Sequence, residues 1–260
     1  AAPMANAYSN PILSGYYPDP SVLRVADDYY LINSSFTNFP GLPLFHSRDL
    51  VNWSQIGNVI SRPAQFSFQG LRSSRGIYAP DISHRDGTFY VVTTCVDCGG
   101  NVVMTATNPA GPWSDPVKLK FGGIDPSLFW DDDGKAWLVG NDAPAEKPRY
   151  DGHRAIWVQQ FDPATLAVKG ERTLLVNGGV DISAKPSWIE GPHLLRRGRY
   201  YYLIAAEGGT GDNHSEVVFR SDSVRGPFRR DEYSPILTQR GRGPRRPNPL
   251  TSAGHAKFVQ

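Results

Sequence analysis

The chain has 260 residues, with 27 Lys and Arg against 25 Asp and Glu, for a formal net charge of +2. That balance excludes the dense cationic face of a dedicated nucleic-acid or membrane-surface binder, and no apolar run reaches the 18 or more residues needed to cross a bilayer. With 26 Gly, 22 Pro, 12 Phe, 12 Tyr and 6 Trp, the composition favours short aromatic strands joined by many turns.

In chain order, Ala1-Ala2-Pro3-Met4-Ala5-Asn6-Ala7 has the small-residue character of a signal-peptidase junction. Periplasmic or extracellular export is the expectation from it, a cytoplasmic location the alternative. Residues 1–9 read as an N-terminal extension and residues 10–260 as one domain. From there one element recurs. A charged or Gly turn leads into an aromatic, apolar strand at 27–32, 86–92, 133–139 and 197–204, each read as a hairpin. Before each hairpin lies a strand with a Pro and a polar residue: Tyr17-Pro18-Asp19-Pro20-Ser21-Val22, Tyr78-Ala79-Pro80-Asp81-Ile82-Ser83, Ile124-Asp125-Pro126-Ser127-Leu128-Phe129 and Ile189-Glu190-Gly191-Pro192-His193-Leu194. Asp19, Asp81, Asp125 and Glu190 precede the aromatics Tyr30, Tyr90, Trp137 and Tyr201 by 11, 9, 12 and 11 residues, a nearly constant register. Similar turns at 47–53, 107–113, 162–166 and 221–228 imply an outer pair of strands after each hairpin.

Four-stranded units repeated in this way predict an all-β, five-bladed β-propeller whose innermost strands line a central axis. A fifth inner strand is expected at 252–259, with the rest of its blade missing from the chain. A fragment of a longer polypeptide and an unusual completion of the last blade both fit. A β-sandwich also yields many short strands, but the recurring polar inner residue argues against it. Cys95 and Cys98, without nearby His or further Cys, read as a structural pair, free or locally oxidised, and not as a zinc site.

Carboxylates on inner strands are costly to bury unless paired, hydrogen-bonded or wet. Asp next to Pro is ordinary turn chemistry, yet several at matched register call for a function. Glycosidic hydrolysis needs one carboxylic acid kept protonated and one ionised carboxylate on the opposite face of the sugar, with a further acid to hold the first one's proton.

The motifs at 17–22, 123–128 and 190–194, in this order, resemble the three active-site motifs of family 43 glycoside hydrolases. Residues 35–44, 46–53 and 206–210 resemble its β-xylosidase branch. The resemblance implies that Asp19 is the general base, Glu190 the general acid and Asp125 the residue that tunes Glu190, with inversion at the anomeric carbon. It implies substrate-binding positions at Phe36, Tyr78, Ala79, Asp81 and His255, Tyr78 standing where Trp is frequent. His255 is further expected to approach a bound water or a hydrated structural calcium ion near the axis; no other cofactor is implied. An exo-acting β-1,4-xylosidase acting on xylooligosaccharides is the preferred reading, with an α-L-arabinofuranosidase acting on arabinoxylan or arabinan as its near alternative. A non-catalytic carbohydrate-binding propeller is the reading from another class. A fructoside hydrolase is disfavoured by Tyr-Pro-Asp-Pro in place of an Asn-Asp-Pro-Asn opening. The family's additional arginine after the fifth hairpin and its C-terminal β-sandwich are not in these residues. Trp53 reads as packing, Asp131-Asp132-Asp133-Gly134 as a solvated hairpin lacking the later ligands of a calcium loop, and Arg240, Arg242, Arg245 and Arg246 as an exposed connection.

Overall fold

The computed structural model describes residues 8–243, 245–247 and 249–259, so residues 1–7 of the expected extension lie outside the described residues. Four antiparallel sheets follow one another. The first holds β1 (Ser21–Val25), β2 (Asp28–Ile32), β3 (Gly41–Ser47) and β4 (Ser54–Ile60). The second holds β5 (Asp81–Arg85), β6 (Thr88–Cys95), β7 (Gly100–Ala106) and β8 (Val117–Lys118). The third holds β9 (Ile124–Trp130), β10 (Ala136–Asp142), β11 (Ala155–Asp162) and β12 (Ala167–Asn177). The fourth holds β13 (Glu190–Arg197), β14 (Tyr200–Glu207), β15 (Ser215–Ser221) and β16 (Arg229–Arg230), with β17 (Leu237–Thr238) also paired to β15.

All four expected hairpins form. At Asp86-Gly87 both turn residues have positive φ, 49° and 79°, as the two-residue turn that matches strand twist requires. The inner strands β1, β5, β9 and β13 contact one another in succession, and each sheet runs outward from them in sequence order. That is a propeller-like arrangement of four blades and not two facing layers.

The apolar core lies between neighbouring blades. Ile32, Leu42 and Ile60 of the first meet Ile82, Val91 and Met104 of the second. Tyr90 and Val103 meet Leu128, Leu138 and Phe161 of the third. Phe129, Val139 and Ile156 meet Leu203, Val217 and Phe219 of the fourth. The second and third blades thus bury both faces, which is why strands such as β6 and β10 read as nearly continuous apolar runs. Among the described residues the only helical element is the 3-10 turn Ile182–Ala184, and no helix is long and apolar enough to cross a membrane.

Four blades are formed among the described residues, and residues 252–259, expected as a fifth inner strand, run without any strand assignment. One expectation is corrected. Asp131 is not solvated: it is 3% exposed and accepts hydrogen bonds from Arg196 Nη1 (2.9 Å) and Tyr201 Oη (2.7 Å), tying the third blade to the fourth.

Candidate active site

The ladders set the register of the blades against one another. Ser21 pairs with Ile32, Asp81 with Val92, Ser127 with Val139 and His193 with Ile204, so these four are equivalent positions. Each follows a proline (Pro20, Pro80, Pro126, Pro192), and the residue before that proline is the corner at which the chain turns onto the axis. The corners are Asp19, Ala79, Asp125 and Gly191, with His255 two residues before Lys257 in the fifth segment. Asp19, Asp125, Gly191 and His255 all have left-handed φ, at 53°, 54°, 54° and 58°. For residues with a Cβ that conformation costs about 1–2 kcal/mol each, a strain that persists at functional positions held by their surroundings. Gly191 has no such choice of side chain. A Cβ there would stand 2.8 Å from the His255 ring.

The corners surround a cavity of about 650 Å³ that Asp19, Asp125, Glu190, Phe36, Tyr78, Ala79 and His255 all line. His255 is its hub. Nε2 lies 3.3 Å from Asp125 Oδ2 and Nδ1 lies 3.9 Å from Asp19 Oδ1, so each ring nitrogen faces a carboxylate. Burial alone would push the imidazole down, but its hydrogen bond to Asp125 and the charges of Asp125, Asp19 and Glu190 raise it to about 10. Asp125 Oδ2 also accepts the Gly191 N–H at 3.0 Å, which fixes the backbone next to Glu190. Asp19 Oδ2 accepts a short hydrogen bond from Ser34 Oγ.

Glu190 has the opposite environment. It is 9% exposed, and burial first, then the negative charges of Asp125 and Asp19, push its carboxyl up to about 8 against the opposing charges of His255 and Arg154. Arg154 is held by Asn141, whose Oδ1 accepts from its Nε (3.0 Å) and Nη2 (2.8 Å), and it stacks over Trp188.

An aromatic wall closes one side. Tyr16 stacks on Phe36 at 6.0 Å, and Phe36 meets Tyr78 edge-on at 5.8 Å. The Tyr78 hydroxyl accepts from Arg75 at 3.4 Å, and Arg75 is gripped by both oxygens of Asp97 (2.9 and 2.8 Å). Asp97 lies inside the turn that Cys95 and Cys98 close as a disulfide, the locally oxidised of the two expected states.

Seven of the eight expected site residues therefore converge, and Asp81 does not. Aligned by its ladder, it corresponds to Ser21 and Ser127 and lies one tier deeper, 1% exposed and outside the cavity. The recurring proline, not the acid, was the signal for the register. Sequence reasoning missed Tyr16, Ser34, Thr210, His214 and Arg154 as neighbours of the site. Of these, Thr210 stood in a segment already read as family-like, and the others carry no local signature.

A calcium ion near His255 does not fit these residues. Among the described residues no group of three or more His, Cys, Asp or Glu is arranged to hold a metal, and both His255 nitrogens already face carboxylates. A hard cation seeks six to eight oxygens, so no step is derived through one.

Comparisons with known proteins agree with this geometry. The sequence model of "Glycosyl hydrolases family 43" matches residues 8–260. The "Xylosidase/arabinosidase" of Butyrivibrio fibrisolvens is 44% identical over 255 residues, covering 96% of this chain and 48% of its own length. The "Non-reducing end alpha-L-arabinofuranosidase BoGH43B" of Bacteroides ovatus is 40% identical, covering 97% of this chain and 45% of its own. Among solved structures, a GH43_12 protein retrieved from a capybara gut metagenome superposes with a TM-score of 0.91 at 52% identity, over 96% of this chain and 47% of that one. The chain thus spans about half the length of these relatives. With the family's motifs at the corners of one cavity and its profile running through the fold, the chain belongs to family 43 of the glycosyl hydrolases.

Proposed function

We propose that this propeller is an inverting exo-glycosidase that releases xylose from the nonreducing end of β-1,4-xylooligosaccharides. The observation that carries the reading is the gathering of Asp19, Asp125 and Glu190 around one cavity, with Glu190 holding its proton to about pH 8. As Asp19 takes a proton from water, the water oxygen bonds to the anomeric carbon. Glu190 meanwhile gives its proton to the glycosidic oxygen as the bond to the leaving sugar breaks. Asp125, through its acceptor contacts to Gly191 N–H and His255, positions the acid and opposes its ionisation. Phe36, Tyr78 and Tyr16 offer apolar faces to the C–H face of a pyranose.

One relative named as a xylosidase/arabinosidase and another named as an alpha-L-arabinofuranosidase support a second activity at the same site. Incubation with nitrophenyl β-xyloside, nitrophenyl α-arabinofuranoside and xylobiose tests both. Release of xylose whose first-formed anomer is inverted by NMR is expected, and binding of xylooligosaccharides without any product would overturn the assignment.

We further propose that residues 252–259 are the inner strand of a fifth blade. His255 and Lys257 repeat the two-residue offset of corner and inner position seen in the other four. The adjacent apolar groove, bounded by Val22, Leu31, Trp53 and Leu250, is where its outer strands would pack, and Trp53 is in contact with it. An experimental structure of a longer chain, with 252–259 laddered to a following strand, is the expected result; a longer chain in which 252–259 stays unpaired would remove the proposal.

A further inference from the structure

Glu216, in β15, has no exposed surface and lies outside the cavity of the proposed reaction. The ladders of the fourth blade put Glu190, Ala206 and Glu216 in one row. Residues paired directly across antiparallel strands project to the same face, so Glu216 stands on the face that carries Glu190. Segment 252–259 lies against that face. Glu216 Oε2 accepts the Ala256 N–H at 2.9 Å, and two residues earlier on both segments a Cβ on Gly254 would stand 2.6 Å from the His214 ring. Glu216 Oε1 is buried with no hydrogen-bond partner among the described residues. Burial pushes this carboxyl up to about 7, against the Ala256 N–H, the charge of His255 and the His255 N–H. The His214 ring nearby is held below its ordinary value by burial and by the charge of His255.

A carboxyl in such a place costs stability that an apolar side chain would not, and what it supplies in return is an acceptor for one backbone amide. That amide directly follows His255, whose left-handed φ of 58° persists only if its surroundings hold it. Gly191 closes on the ring from one side, and Lys257 Nζ anchors the segment beyond by donating to Ser21 Oγ (3.1 Å) and the Ile82 carbonyl (2.9 Å). Neither contact fixes the peptide that sets the direction of the ring. We infer that Glu216 is a positioning residue for His255, holding the Ala256 amide so that the strained corner keeps its imidazole turned towards Asp19 and Asp125. It acts on the reaction through His255 alone and touches no substrate. The inference rests on the proposed hydrolysis only for its consequence on turnover.

The test compares wild type, Glu216→Gln and Glu216→Leu. Both variants remove the charge, and only Gln keeps an acceptor oxygen for the amide, so the difference between them isolates the hydrogen bond. The His255 imidazole is followed by 15N NMR without substrate, its signals assigned with a His255→Asn variant. In wild type the ring stays protonated to about pH 10. In Glu216→Leu its midpoint falls by about one pH unit or more as the ring leaves the carboxylates, and Glu216→Gln restores more than half of that shift. Turnover of xylobiose follows the same order, with kcat of Glu216→Leu down roughly tenfold and that of Glu216→Gln within about twofold of wild type. Wild type supplies a measurement that needs no variant to fold: the Ala256 amide proton moves downfield as Glu216 ionises, with a midpoint near pH 7. A His255 midpoint in Glu216→Leu equal to that of wild type, a shift in Glu216→Gln as large as in Glu216→Leu, or an Ala256 amide indifferent to pH around 7 overturns the inference. A wild type that binds xylobiose without turnover sinks the hydrolase reading instead and leaves the NMR comparison standing.

Discussion

Glu190→Gln lowers xylobiose hydrolysis by roughly 10²–10⁴-fold, the range of a lost general acid, yet costs far less with nitrophenyl xyloside. The amide keeps the shape of the side chain but has no proton to give. A nitrophenolate leaves without one, whereas a sugar alkoxide does not. The same substitution stabilises the fold. Glu190 titrates near 8 in the folded protein against an ordinary 4.5, so the folded state holds the proton more tightly than the unfolded chain. For a pKa raised on folding, the contribution to stability is fully present below about 4.5 and is lost as pH rises towards 8. At pH 7 Gln removes that cost, and the gain is about 2 kcal/mol after allowing for the weaker electrostatic support of His255. Urea melts at pH 5 and pH 8 check it: the advantage of Glu190→Gln over wild type grows with pH. An advantage equal at both would show that Glu190 does not carry the proton. The acid role also sets the alkaline limb of the activity profile, which falls as pH passes about 8.

Asp19→Asn removes activity without discriminating between those substrates. Both need the attacking water deprotonated, so xylobiose and nitrophenyl xyloside hydrolysis fall together by roughly 10²–10⁴-fold. The variant retains an acceptor for the Ser34 hydroxyl, and far-ultraviolet circular dichroism stays that of wild type. Parallel losses for Asp19→Asn beside divergent losses for Glu190→Gln separate the base from the acid. Activity above a tenth of wild type on either substrate would remove Asp19 from the base role.

The hairpins were legible because each rests on local chemistry, a turn pair such as Asp86-Gly87 followed by an aromatic strand. The three acids that meet at the cavity were legible because Asp-Pro and Glu-Gly-Pro mark the corners. Asp81 was misplaced by the same motif logic: Pro80 precedes it, whereas Pro20 and Pro126 follow Asp19 and Asp125, so its carboxylate falls one tier lower. Asp131 looked like turn chemistry because its partners Arg196 and Tyr201 come from another blade. Arg154 and His214 join the site only through the tertiary fold. Residues 252–259 resemble the other inner strands in pattern, but a ladder needs two strands.

The contacts of His255 with Asp19 and of Lys257 with Ser21 each join residues 236 positions apart. Closing so long a loop is slow relative to forming any single hairpin. During synthesis the first four blades can therefore fold while the hub of the site is still inside the ribosome. A nascent chain exposes Asp19 long before it exposes the imidazole that faces it, so the cavity is assembled only once residues 252–259 have emerged.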